Sequence, residues 1–217
     1  MDDGTGKNDL VADLPWPKPG PALLGPHGDW WNNAVLNRMT GEEWWVYAEG
    51  YARGAEILVR HVVDGNRDLD FLVYPIVFLY RHHLELALKD LIRGAGDLLG
   101  KRCKPPNTHE LDVLWKRAKT LLKEVWPKGD EETLTAVEQR ITELAGVDKN
   151  SISFRYPKNN NDRTPSLPLD LTHINIRTLG EVMAEIIAFL SACRLGISSI
   201  KEARDEYERD MRSEFED

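Results

Sequence analysis

Residues Phe71–Arg93 read FLVYPIVFLYRHHLELALKDLIR and form the most apolar segment of the chain. Apolar side chains recur on all sides of this predicted helix, which is typical of a helix buried at the centre of a protein. At its centre the segment nevertheless carries Arg81, His82, His83 and Glu85. Buried charges are costly unless they are paired. We therefore predict a central helix whose polar groups either pair within the chain or line a functional site.

Helical periodicity recurs before and after this segment. An apolar stripe with steps of three and four begins at a capping box headed by Thr40. Gly94 and Gly96 are predicted to end the central helix, and Asn107 and Asp130 are predicted to cap the next two. A long closing helix is predicted to start near Thr172 or Asn175. With no strong strand signal, the chain is predicted to be all-α, a single helical bundle of five to six helices.

The predicted helices leave an irregular arm before them and a charged segment after them. Residues 1–39 are rich in Pro, Gly and Trp, which predicts an arm that either packs against the domain or docks on a partner. Residues 40–196 form the predicted bundle, with a break at Gly196. Residues 197–217 are predicted to be a charged, exposed helix or tail. Residues 151–157 alternate with period two and predict a short extended piece.

The composition of the 217 residues is 41% hydrophobic and 29% charged, as in ordinary soluble proteins. No apolar run reaches the roughly 18–20 residues that span a bilayer. The first four residues are acidic rather than signal-like. We therefore predict a cytoplasmic protein without membrane contact. No phosphate-binding loop or nucleophile motif occurs, so no cofactor is expected.

The polar groups of the central helix allow two interpretations. Arg81 and Glu85 stand one helical turn apart, and His82 stands three residues before Glu85, so these side chains can interact. In one interpretation they form a buried network with His109 and the segment around Arg155. In the other they line a cleft in which arginine stabilises a phosphate and histidine acts as general acid or base on an RNA 2′-hydroxyl. Glu85 would then orient the imidazole.

A metal site is the weaker alternative for the same residues. His82, His83, Glu85 and His109 are acceptable ligand types. Adjacent histidines on a helix, however, point about 100° apart and cannot easily chelate one ion. The two cysteines, Cys103 and Cys193, do not have metal-ligand spacing either. We therefore expect no bound metal.

The charge distribution restricts the binding of nucleic acid to one region. The net charge of −8 argues against a general nucleic-acid binder. Residues 101–128, however, hold eight Lys/Arg against three Asp/Glu. A polyanion-binding face is therefore predicted there, although such a face is usually a solvated surface. Its residues are Lys101, Arg102, Lys104, Lys116, Arg117, Lys119 and Lys123.

Several short motifs, in order, carry a family resemblance. They are Arg81-His82-x-Leu84-Glu85-Leu86, His109-x-Leu111 with Leu114-Trp115, Ser153-Phe154-Arg155-Tyr156-Pro157, and the long closing helix. This order resembles prokaryotic helical proteins of the HEPN superfamily (higher eukaryotes and prokaryotes nucleotide-binding domains) over roughly residues 40–195. The family signature is an Arg and a later His with four to six residues between them, usually on a late helix. Here only Arg102 and His109 fit that spacing, across a loop that contains Pro105-Pro106.

The resemblance implies a function and partners. Active HEPN proteins are helical bundles that dimerise to form a composite ribonuclease cleft, and many serve toxin–antitoxin, abortive-infection or CRISPR-linked defence. It implies RNA as substrate, a homodimer, and a cognate antitoxin or defence protein as partner. Our hypothesis is a metal-independent RNA endonuclease with Arg81, His82, Glu85, His109 and Arg155 at its site. The alternative is a non-catalytic helical module that binds a partner protein or a nucleotide.

Overall fold

Five α-helices follow one another in the computed structural model, which describes residues 17–36, 43–101, 103–159 and 162–216. No strand occurs in these ranges, so the predicted all-α bundle is confirmed. Contacts divide the chain into two units, Met1–Arg38 and Met39–Asp217. The helices are α1 Glu43–Gly65, α2 Leu69–Leu98, α3 Leu111–Val125, α4 Glu131–Val147 and α5 Ile176–Glu216.

The second helix, α2, lies at the centre as its apolar sequence predicts. It packs against α1, α3 and α5, while α4 packs against α3. Small residues of α1, among them Ala48, Ala52 and Ala55, are fully buried and let the backbones of α1 and α2 approach closely. On α2 itself Leu84 and Leu88 are buried. Each such side chain contributes roughly 1.5–3 kcal/mol by leaving water.

Side-chain caps fix two helix starts where the sequence predicts them. Asp130 accepts hydrogen bonds from the Glu132 amide (3.0 Å) and the Thr133 hydroxyl (2.6 Å) at the start of α4. Asn175 accepts one from the Thr178 amide (3.0 Å) and so caps α5. These bonds satisfy amides that have no partner within the helix. The predicted cap at Thr40 lies outside the described residues.

Three predicted boundaries are wrong. The third helix begins at Leu111 rather than after Asn107, because the chain is still extended at Glu110. The central helix continues through Gly94 and Gly96 to Leu98, and α5 runs through Gly196 without a break. These three glycines serve close packing instead; a Cβ at Gly196, for example, would lie 2.9 Å from the Trp126 ring.

The segment between α4 and α5 differs from the predicted extended piece. Residues 153–155 form a turn, and the pairing in this segment is one isolated bridge between Lys158 and Pro165. Ser151 and Phe154 are buried while Arg155 and Tyr156 are exposed, so burial does not follow the two-residue alternation of the sequence. The extended piece predicted from that alternation is therefore wrong.

The first unit contains a short 3-10 turn, Trp30–Asn32. Asn33 closes a loop around it: its side-chain nitrogen donates to the His27 carbonyl (2.8 Å), and its side-chain oxygen accepts from the His27 amide (3.0 Å). The described part of the arm is therefore irregular but locally hydrogen-bonded. Whether the arm packs on the domain or on a partner stays a prediction.

The closing helix, α5, is long and apolar enough to cross a membrane by length and composition alone. Soluble core helices pass the same test, so this is weak evidence for a membrane span. The buried face of α5 includes Met183, Ile186 and Leu190. This face belongs to the core, because α5 packs against α1 and α2. The cytoplasmic location stays a prediction.

Candidate functional site

The polar stripe of α2 turns inward and forms the centre of the site. Arg81 is 0% exposed and Glu85 is 2% exposed, and Lys89 one turn further on is also buried. Glu85 accepts a hydrogen bond from Lys89 (Nζ to Oε1, 2.8 Å) and lies 3.4 Å from Arg81 Nη1. The helical spacing of four residues places all three groups on one face. The sequence predicts this stripe correctly.

The guanidinium of Arg81 fastens two loops to α2. Nη2 donates to the carbonyls of His109 (2.7 Å) and Lys149 (3.1 Å), and Nε donates to the carbonyl of Asp148 (3.1 Å). Nε also lies 3.2 Å from the Asp148 carboxylate. Burial lowers the pKa of Arg81, while Asp148 and Glu85 oppose that shift. Because its donors are committed inside the protein, Arg81 cannot contact a phosphate as the cleft interpretation requires.

Asp148, which completes the buried network, is not among the predicted site residues. Its Oδ1 accepts hydrogen bonds from the amides of Ile152 (2.7 Å) and Ser153 (3.0 Å). Its other oxygen faces Arg81. No local pattern in the sequence pairs this aspartate with Arg81. Arg81 and Lys89 thus balance Glu85 and Asp148 in charge.

His109 is the group that connects this buried network with solvent. Its Nδ1 lies 2.9 Å from Glu85 Oε1, and its side chain is 67% exposed. Burial raises the pKa of Glu85, but the hydrogen bonds of Lys89 and His109 outweigh it and hold that pKa below the usual range. Glu85 therefore stays ionised and fixes the tautomer of His109. The ring then offers Nε2 to solvent, as in the histidine–carboxylate pairs of hydrolytic enzymes.

His82 lies beside this pair in an aromatic setting. Its ring is stacked on Phe78 (centroids 5.8 Å apart) and meets Tyr51 edge-on (4.4 Å). Burial lowers the pKa of His82, Glu85 opposes that shift, and Arg81 adds to it. The half-buried imidazole is therefore neutral at pH 7 and can accept a proton.

Arg155 is exposed and held in place by its neighbours. Its guanidinium lies over the rings of Phe78 (5.6 Å) and Tyr156 (5.5 Å), and its Nε donates to the Ser151 carbonyl. Cation–π contacts of this kind are worth about 0.5–1 kcal/mol at exposed positions. Arg155 thus shares Phe78 with His82. Of the five predicted site residues, Arg81 and Glu85 are buried, whereas His82, His109 and Arg155 reach the surface.

The other histidine of the central helix belongs to the core. His83 is buried, and its Nδ1 lies 2.9 Å from the Ala48 carbonyl of α1. Burial lowers the pKa of His83. Its Nε2 has no hydrogen-bond partner among the described residues.

The predicted polyanion-binding face is neutralised in part, at three of its seven residues. Lys119 pairs with Glu138 and Lys123 with Glu131, each at 2.6 Å, and Lys101 pairs with Glu124. Arg117 donates to the Cys103 sulfur (3.0 Å). Lys104 and Lys116 are exposed, and Arg102 lies outside the described residues. The face therefore presents mixed charge rather than a continuous basic surface.

The site offers two histidines for acid–base chemistry and the Arg155 guanidinium as a cation. Among the described residues it offers no set of side chains that is free to bind a metal ion. Glu85 Oε1 is already shared by Lys89 and His109, which would repel a metal ion. Within the described ranges no group of three or more His, Cys, Asp or Glu side chains is placed to hold one.

A comparison of the chain with protein-family models, with curated proteins and with solved structures found no match in any of the three.

Proposed function

We propose that this protein is a HEPN-like, metal-independent RNA endonuclease. One observation carries the proposal: the exposed ring of His109 is held by the buried carboxylate of Glu85, with His82 and Arg155 beside it on the surface. A fixed histidine that can exchange a proton with a bound substrate is the main requirement of RNA cleavage without metal. The nucleophile, the 2′-hydroxyl, comes from the RNA itself.

The proposed reaction divides proton transfer between two histidines. His82, which burial keeps neutral, takes the proton of the 2′-hydroxyl as its oxygen attacks phosphorus. His109 in its protonated form gives a proton to the departing 5′-oxygen, and Glu85 stabilises that imidazolium. The products are a 2′,3′-cyclic phosphate and a free 5′-hydroxyl. Arg155 contacts the phosphate and stabilises the charge that builds up on it.

In this proposal Arg81 is a positioning residue rather than a catalytic one. Its bond to the His109 carbonyl fixes the loop before α3, and its bonds to Asp148 and Lys149 fix the loop that leads to Arg155. The buried guanidinium of Arg81 thereby sets the distance between His109 and Arg155 on the surface. The proposal thus revises the role that the sequence suggested for Arg81.

The resemblance extends the proposal to assembly and setting. We propose a cytoplasmic homodimer that acts in a defence or toxin–antitoxin system with a cognate antitoxin or defence protein. A dimer would place two His109 sites in one composite cleft. Light scattering of the purified chain at several concentrations checks the dimer.

The test is RNA cleavage by the full chain in the presence of EDTA. We expect a 2′,3′-cyclic phosphate end, and we expect His109→Ala to lower kcat by about 10²–10⁴-fold. His61→Ala is the matched control, because His61 also pairs with a carboxylate at 3.0 Å (Asp68) but lies at the α1–α2 turn. Cleavage that survives His109→Ala, or that is lost equally in His61→Ala, would overturn the proposal.

A second function is favoured by the burial of Arg81. A fully buried guanidinium bonded to three carbonyls is typical of a structural network, as in a non-catalytic module that binds a partner protein or nucleotide. This alternative predicts that wild-type protein does not cleave RNA under any condition. It also predicts that His109→Ala leaves toxicity in cells unchanged and lowers the melting temperature, because the buried Glu85 carboxylate loses a hydrogen bond.

A further inference from the structure

The outer face of α2 carries an aromatic stripe formed by Phe71, Tyr74, Phe78 and His82. The steps of three and four residues place the rings on one side of the helix, ~4.5–6 Å apart along its axis. Phe71 is 79% exposed and Tyr74 is 45% exposed. Packing within the described chain does not account for rings this exposed. A row of large rings left in water marks a binding surface.

The stripe runs into the candidate site. Phe78 stacks on His82 (5.8 Å) and lies under the Arg155 guanidinium (5.6 Å). The ring of Tyr156, which is half exposed, also lies close to that guanidinium (5.5 Å). Exposed rings thus continue along α2 from Phe78, which both Arg155 and His82 contact.

We propose that the aromatic stripe binds unpaired bases of an RNA strand whose phosphate lies at Arg155 and His109; this inference rests on the proposed ribonuclease function. Rings stack on bases of any sequence, because every base has a π-face, while a cation between them binds the backbone. Bases of a duplex are stacked on each other and are not available to Phe71 and Tyr74. The stripe therefore selects RNA with unpaired nucleotides on one side of the scissile bond.

The arrangement favours a nucleic acid over a protein partner. Aromatic residues and arginine are enriched at protein interfaces as well, so the residue types alone do not distinguish the two partners. The order along the surface does: a guanidinium lies within 5.6 Å of two rings, an imidazole is stacked on one of them, and further rings follow along α2. Alternating cations and rings match a strand in which phosphates and bases alternate.

The experiment measures binding separately from cleavage. Fluorescence anisotropy of a labelled single-stranded oligodeoxyuridine, which lacks the 2′-hydroxyl and cannot be cleaved, is followed at low salt with full-length protein. We expect Phe71→Ala and Tyr74→Ala each to weaken binding roughly 5- to 100-fold, since stacking one base is worth that much. Tyr207→Ala is the matched control, because Tyr207 is an equally exposed ring on α5. We expect a blunt duplex to bind the wild type and Phe71→Ala with the same affinity, because its bases are not available to the ring.

The outcomes separate this inference from the proposed function. If His109→Ala abolishes RNA cleavage but Phe71→Ala and Tyr74→Ala bind the oligonucleotide like wild type, the stripe inference is overturned and the ribonuclease stands. If the two variants lose binding while the wild type never cleaves RNA, the stripe inference stands and the ribonuclease does not. If they leave oligonucleotide binding intact and instead convert a dimer to a monomer, the stripe is a protein contact and the inference fails.

Discussion

A single guanidinium does most of the positioning at the candidate site. Arg81 is surrounded by the carboxylates of Glu85 and Asp148 and by the carbonyls of Asp148, His109 and Lys149. In a medium of low dielectric such a group is tolerated only while every partner remains. Removing one partner leaves the opposite charge buried and unpaired. Stability and site geometry therefore depend on the same residue.

This dependence predicts the effect of Arg81→Ala. We expect a loss of about 3–5 kcal/mol in the free energy of unfolding, because two buried carboxylates lose their cation. Urea denaturation followed by circular dichroism measures it. Arg53→Ala is the control, since Arg53 forms an exposed pair with Glu49 (3.1 Å) that is worth well under about 1 kcal/mol. Equal effects of the two substitutions would show that the network is not structural.

The buried histidines predict a sensitivity to acid. The pKa of His83 and that of His82 are lowered from 6.5 in the folded protein, chiefly by burial. Between those lowered values and 6.5 the unfolded chain binds more protons, so stability is full above pH 6.5 and falls as the pH drops below it. The lowered pKa of Glu85 acts in the same direction only below its usual 4.5.

Urea midpoints between pH 7.5 and pH 5 measure this dependence. We expect the midpoint to fall across that range in the wild type and to fall less in His83→Gln, which keeps a polar group near the Ala48 carbonyl. His82, the proposed catalytic base, gives a parallel effect. Because its pKa is lowered from 6.5, the rate of RNA cleavage should begin to fall only below pH 6.5. A midpoint that rises toward pH 5 contradicts the assignment of His83 as a neutral core residue.

The sequence predicts part of the site and misses the rest for a physical reason. The Arg81–Glu85 pair follows from helical spacing, and the approach of His109 was expected. Asp148, however, is joined to Arg81 across 67 positions of the chain. No local pattern encodes such a contact. Burial of Arg81 was one of two interpretations of the sequence, and the sequence could not choose between them because burial depends on two loops folding over α2.

At the scale of the elements, periodicity and caps predict helices well, and glycines predict ends poorly. Asp130 and Asn175 cap helices as their side chains suggest. Gly96, in contrast, was predicted to stop α2 but lies inside it, beside the loop that follows. A glycine in sequence signals either a stop or a close approach of another backbone. Only the tertiary structure distinguishes the two.

This distinction predicts opposite effects at two glycines. A Cβ at Gly96 would lie 2.6 Å from the Cβ of Cys103 and 3.1 Å from the Lys101 carbonyl, so we expect Gly96→Ala to destabilise the protein by about 1–3 kcal/mol. A Cβ at Gly50 in α1 meets nothing within 4 Å. Gly50→Ala should therefore stabilise by about 0.5–1 kcal/mol through helix propensity.

Thermal unfolding of the two glycine variants beside wild type measures both effects. We expect the melting temperature to fall for Gly96→Ala and to rise for Gly50→Ala. If Gly96→Ala instead raises it, the loop at Cys103 does not pack on α2 as described. A drop in Gly50→Ala would mean that another chain covers this face of α1.

At the scale of the whole molecule, charge limits how RNA can bind. The net charge of −8 repels a polyanion, and three of the eight basic residues of 101–128 pair with Glu124, Glu131 and Glu138. Counting lysines in the sequence overestimated this face, because the carboxylates come from α3 itself and from α4. Binding must therefore depend on few phosphate contacts and more on stacking.

This balance predicts a shallow salt dependence. Each neutralised phosphate of a single strand contributes about −0.7 to the slope of log K against log salt. With Arg155 as the main phosphate contact we expect a slope of about −1, and Arg155→Gln should reduce it by about 0.7. Lys116→Gln, on the predicted basic face, should leave the slope unchanged.

Anisotropy titrations of a labelled single-stranded oligonucleotide at several salt concentrations give these slopes. Only groups that contact phosphate release counterions. If the slope changes in Lys116→Gln and not in Arg155→Gln, the RNA therefore binds at the basic face and not at the aromatic stripe.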